Sequence, residues 1–253
     1  MHNRILILLF SGLILTACKN NTATEPLTFS SESVTESDLP SCKNEDCPKI
    51  TLNYELAAGD SSTSEAINKT LEKHIIASLQ LGDDVITAKT IPAAMEYFVS
   101  RYRKDKEKFP DTTFEYEAKV DLSKLAQLEK LVSFELQSYQ FAGGAHGYQA
   151  TTFLNFNTET GTLLSRSELF KNEKEFKTFA ETKFKEANNI AVNENINSTG
   201  FWFEDDTFFL PDTIGFTEDN LILYYNQYDI ASYADGPIEL EIPRKEAEAF
   251  LVY

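Results

Sequence analysis

The groups best suited to chemistry in this chain are concentrated in Gly143-Gly144-Ala145-His146-Gly147. Three glycines in five residues permit positive φ and let the backbone approach a ligand closely. His146 stands among them, with Tyr139 and Tyr148 on either side. An imidazole in that setting could act as a base, a ligand or a contact group. The competing reading is structural: a glycine-shaped bend between two strands, with His146 hydrogen-bonded to backbone. A second tract, Tyr225 to Pro237, carries Tyr228, Tyr233 and Asp235. Its Asp235-Gly236-Pro237 is a turn signal. Together Tyr139, Gly143, Gly144, His146, Gly147, Tyr228, Tyr233 and Asp235 form the candidate binding set. No catalytic residue and no metal ligand is assigned. The chain has no nucleophile elbow and no Walker-type phosphate loop. His74 lies near an apolar helical stripe, and its spacing from His146 is no metal signature. No cofactor is expected.

Cysteine is the other reactive type. Cys18 closes Leu15-Thr16-Ala17-Cys18, which resembles a bacterial lipobox. Arg4 and the apolar run Ile5 to Leu15 precede it, too short to cross a bilayer and read as a signal peptide over residues 1–17. Cys18 is therefore the expected lipidation site, holding the protein at the bacterial cell envelope. Cys42 and Cys47 remain as an even pair in an oxidising compartment, where a structural disulfide is the natural reading. Free thiols, or a metal or redox role, are the alternatives. Residues 18–48 are rich in Ser, Thr and Asn and show no apolar period, so a flexible tether is expected there, long enough to place a domain well off the membrane. The first carboxylate after Cys18 is Glu25. Some surface-exported lipoproteins need acidic residues directly after the cysteine, so this favours a periplasm-facing protein.

Length and charge bound the partners. The 253 residues suffice for one large or two small domains. Lys and Arg number 23 against 40 Asp and Glu, a net charge of −17, which disfavours nucleic acid and anionic membrane surfaces. A basic protein is the complementary partner. Asp205, Asp206, Asp212, Glu218 and Asp219 could form an acidic face, or serve solubility alone. Trp202, between Phe201 and Phe203, could be an exposed anchor or part of the core.

These groups must be carried by a folded frame. Ile50–Leu56 alternate as a half-buried strand. A helix is expected over 64–80, capped by Ser64, with Ile67, Leu71, Ile75 and Leu79 as its stripe. A second helix is expected over 91–109, with Pro92 in its first turn. Its basic end, Arg101 to Lys108, suits a helix C-terminus in water. Strands follow at 114–120, 131–141 and 148–156, with a turn at 157–161. A helix then starts after Asn172, and late strands at 221–225 and 238–242 precede a short helix from Lys245. Strands and helices come in batches, so the fold class is α+β, mainly antiparallel, with subdomains at 49–150 and 151–253.

Three tracts carry a family resemblance: Tyr139–Gly147, Thr162–Phe170, and Tyr225–Pro237 with Ile242-Pro243. Their order resembles the paired exported domains of unknown function in RsiV-type anti-sigma factors, which also precede PdaC-type peptidoglycan deacetylase domains. The resemblance covers Pro48 to Tyr253. Ser232 departs from it, since relatives often carry Pro there. The RsiV-type ectodomain binds lysozyme, and the deacetylase activity of the other branch resides in a separate catalytic domain. The resemblance therefore implies a cell-envelope binding module that recognises lysozyme or peptidoglycan and has no catalysis of its own. The alternative is an envelope glycan hydrolase or deacetylase-like enzyme.

Overall fold

The computed structural model describes residues 27–83, 85–110 and 115–253. The expected signal peptide and Cys18 lie outside the described residues. A five-stranded sheet has the spatial order β1-β2-β3-β4-β5, formed by Phe29–Thr35, Lys49–Ala57, Tyr116–Gln127, Leu131–Ala142 and Tyr148–Asn157. Between β2 and β3 the chain forms α1 (Ser62–Ala77) and α2 (Ile91–Lys108), and this crossover makes β2 and β3 a parallel pair. The other pairings are antiparallel. After β5 come α3 (Arg166–Leu169) and α4 (Glu173–Ala187). A three-stranded antiparallel sheet follows, formed by β6 (Thr213–Phe216), β7 (Asn220–Tyr225) and β8 (Ile238–Pro243), and α5 (Arg244–Ala247) lies near the C-terminus. The α+β, mainly antiparallel class is as expected.

The layers follow from side-chain alternation. Ile50, Leu52, Val120, Leu122, Phe134 and Leu136 face α1 and α2, whose Ile67, Leu71, Ile75, Phe98 and Met95 complete the first core. On β7, Leu221, Leu223 and Tyr225 face Phe176 and Phe184 of α4 in a second core. The alternate β7 residues, Ile222 and Tyr224, turn the other way and meet Phe153 of β5. The three-stranded sheet is thus held between α4 and the outer face of β4–β5. Gly215 sits where a Cβ would overlap the Phe153 ring, so the two sheets approach closely at that point.

Two expectations about organisation are corrected. The tether expected over 18–48 ends before Phe29, because β1 pairs with β2 from Phe29↔Ala57 to Thr35↔Thr51. Phe29 and Val34 pack on the first core while the serines between them face water, an edge-strand pattern that looks like a linker in composition. The expected 150/151 subdomain boundary falls inside β5, which pairs with β4 as far as Asn157. Helix α1 also starts earlier than Ser64. Ser61 is its cap, accepting from the Ser64 N–H at 3.1 Å, while the Ser64 hydroxyl donates to the Ala58 carbonyl.

The segment between β1 and β2 is clipped onto α2. Cys42 and Cys47 are joined as a disulfide. Arg103 donates to the Ser41 carbonyl at 2.8 Å and pairs with Glu45 at 3.1 Å. Asp46 accepts from the Tyr102 hydroxyl at 2.7 Å and pairs with Lys106. Those contacts hold the Asp46 carboxyl below its usual range, chiefly through Lys106. The basic end of α2 therefore grips an acidic loop.

Candidate binding face at the loop cluster

The glycine-rich loop joins β4 to β5 at the end of the sheet. Gly143 and Gly144 take φ of +87° and +96°, which L side chains rarely adopt. A Cβ on Gly147 would overlap the ring of Tyr139, which lies across that residue. The loop is thus shaped to lay the Tyr139 ring flat against its own backbone. His146 is exposed, and its Nδ1 is 3.0 Å from the Gly147 carbonyl.

The Tyr225–Pro237 tract is brought to the same place by one amide. Asn226 Oδ1 accepts from the Thr151 N–H at 2.7 Å, and Asn226 Nδ2 donates to the Thr151 carbonyl at 3.0 Å. The side chain substitutes for a neighbour strand at Thr151, on the stretch of the β5 edge beyond the Phe156–Leu163 bridge. From there the chain turns, with the Asp229 N–H donating to the Asn226 carbonyl at 3.1 Å and the Asp229 carboxylate accepting from the Asn226 N–H at 2.7 Å. Tyr228 is the third residue of this turn, with φ of +71° and a side chain 53% exposed. Beyond it, Asp235 caps a short helical turn by accepting from the Ser232 N–H and hydroxyl at 3.1 and 2.5 Å. Ser232 thereby supplies a capping box at the position that departs from the resemblance. The turn presents Tyr233, whose ring stacks on His146 at 4.2 Å between centroids. Tyr228 lies 5.7 Å from Tyr233.

The structure therefore brings together Tyr139, Gly147, His146, Tyr233 and Tyr228. Asp235 has a local capping role. Tyr148 is exposed, but alternation along β5 puts it on the other face of the sheet. His74 is set apart on α1, where burial pushes its imidazole below the usual range. Phe203 belongs to the second core while Trp202 is 47% exposed, and the Trp202 N–H donates to the Ile230 carbonyl at 3.0 Å. The Thr162–Phe170 tract leads elsewhere. Its Arg166 donates to Glu173, Asp212 and the Leu210 carbonyl at 2.9–3.1 Å, beside a shallow cleft of about 420 Å³ that Asp229 also lines. Sequence reading missed Asn226, an unremarkable asparagine without its partner strand.

Two family models match separate parts of the chain. Residues 41–149 match the model described as deacetylase PdaC, and residues 167–245 match a protein of unknown function, DUF3298. This is the pair of domains that the three tracts resemble. The glycine-rich loop lies in the first region and Tyr228–Tyr233 in the second, so the ring cluster is built from both. The fold is similar to a DUF3298 family protein from Bacteroides fragilis, at 21% identity and a TM-score of 0.70, over 90% of this chain and 94% of that one. It is also similar to a DUF3298 family protein from Pseudomonas aeruginosa, at 19% identity and a TM-score of 0.61, over 90% and 95% of the two chains. No curated protein matches the chain.

Proposed function

We propose that this chain is a cell-envelope binding module, anchored by lipid on Cys18 and facing the periplasm, that recognises lysozyme or peptidoglycan without catalysis of its own. The observation that carries the reading is the His146–Tyr233 stack. It joins two tracts far apart in sequence into one exposed aromatic face. The partners of His146, a ring and a backbone carbonyl, suit a contact surface more than a proton relay. The net charge of −17 would steer a basic protein such as lysozyme toward the domain. Calorimetric titration of the full chain in detergent tests the proposal, with lysozyme at low and moderate salt and with solubilised peptidoglycan in parallel. Binding of either that survives moderate salt and is lost in Tyr233→Ala is the expected result. Binding that vanishes with salt would be charge attraction alone, and that result, or no binding of either, overturns the proposal.

A further inference from the structure

Tyr228 holds an expensive conformation for little internal gain beyond its 5.7 Å ring contact with Tyr233. Its φ of +71° falls at the turn position that glycine or asparagine ordinarily fills. A bulky L residue there carries strain of order 1 kcal/mol. The ring is more than half exposed, so little burial offsets that strain. Strain of this kind collects where a side chain must be aimed at something outside the protein.

The surroundings say what that is. Residues 136–158 contain no Asp, Glu, Lys or Arg, in a chain where a quarter of the residues are charged. Part of this stretch is core, but Gln137 and Gln149 are exposed and share the outer face of β4–β5 with Tyr139. On the 220–237 tract the ionic groups are Asp229 and Asp235, both engaged in capping their own turns. From the neighbouring strand Lys119 stands opposite Tyr139, ion-paired to Asp121 at 2.7 Å, and Glu135 accepts from Gln137 at 3.0 Å, so the face offers flat rings and amides with its flanking cation already paired. A polyanion finds no unpaired cation among these residues. A sugar ring finds partners: its C–H face packs on an aromatic ring, and its hydroxyl and acetamido groups hydrogen-bond to amides.

We propose that Tyr228, with the His146–Tyr233 stack, Tyr139, Gln137 and Gln149, forms a binding strip for a neutral glycan chain, and that Tyr228 is kept strained to serve as its outer ring. This rests on the reading of the loop cluster as a binding face and names its ligand class.

The test is Tyr228→Gly in the full chain in detergent, titrated with chitotetraose and, as a sugar without acetamido groups, cellotetraose. Wild type is expected to bind at least one of them. Tyr228→Gly is expected to bind about tenfold more weakly, the loss typical of a removed aromatic contact, with a thermal midpoint equal to or above that of wild type. A residue with only a structural role would give the opposite pattern, lower stability with binding intact. That pattern, or no saccharide binding by the folded wild type, overturns the proposal. Lysozyme binding that depends on Tyr228 without any saccharide binding would leave the binding-module reading standing and reassign the strip to a protein partner.

Discussion

Replacing Asn226 by alanine removes the side chain that bridges the 226–237 tract to the edge of β5. Thr151 is 1% exposed, so its N–H and carbonyl lose their partners where water does not readily replace them. Each buried group left unpaired costs about 1–3 kcal/mol, and relaxation of the surface turn recovers part of the total, giving about 3 kcal/mol. With a urea m-value near 3 kcal/mol/M for a chain of this size, the unfolding midpoint should fall by about 1 M. Asn226→Asp makes the argument sharper. It keeps an acceptor for the Thr151 N–H but turns a carboxylate toward the Thr151 carbonyl. That repulsion raises the introduced acid's folded pKa. Its penalty is therefore present at neutral pH and fades as pH falls through that value, because the protonated acid can donate again. Urea unfolding of both variants from pH 7 to pH 4 reads the effect. A loss below about 1 kcal/mol for Asn226→Ala, or a deficit in Asn226→Asp that does not change with pH, would refute the account of the amide as a substitute strand.

Three further outcomes are expected. Reducing the Cys42–Cys47 disulfide, which closes a loop with a sequence separation of five, should lower stability by about 2 kcal/mol, read from thermal midpoints with and without reductant. Gly147→Ala should cost about 1–3 kcal/mol by forcing the Tyr139 ring aside; the loss should shrink in a Tyr139→Ala background, and an unchanged loss there would count against the contact. Burial, and then Glu241 and Glu135, raises the pKa of Glu239 above 4.5. Its protonated form thus favours the fold, and that contribution is lost as pH rises through the raised value. Compared with wild type, Glu239→Gln should raise the midpoint at pH 7 relative to that at pH 4, and a steeper fall with rising pH in the variant would contradict the assignment.

Much of the frame was legible because its signals are periodic. The Ile67–Leu71–Ile75–Leu79 stripe and the β7 and β8 alternation each bury what their spacing says they should. The elements missed were short or edge-placed. Strand β1 touches the core mainly near its ends, so its serines read as a linker. Strand β6 has four residues, too few to show a period. The candidate face was half legible. Both of its tracts stood out by composition, yet their meeting depends on Asn226 and on two backbone groups of Thr151, and backbone groups have no letter in a sequence. The strained φ of Tyr228 was also hidden, since the sequence there has no glycine to announce it.

If Cys18 is lipidated as proposed, the early start of β1 limits how far the folded part can stand from a membrane. Nine residues lie between that anchor and Thr28, a leash of at most about 35 Å. The leash joins the sheet at Phe29, beside Ala57. Following the register across the sheet, the 143–147 loop lies at the opposite end, since Ala142 pairs with Tyr116 at the start of β3 and Tyr54 pairs with Leu122 further along it. The twelve residues of β3 span about 40 Å. The attachment point and the aromatic rings thus lie at opposite ends of the sheet, and the rings could stand as far as about 75 Å from the bilayer. A polymer lying parallel to the membrane anywhere within that reach would be accessible to them.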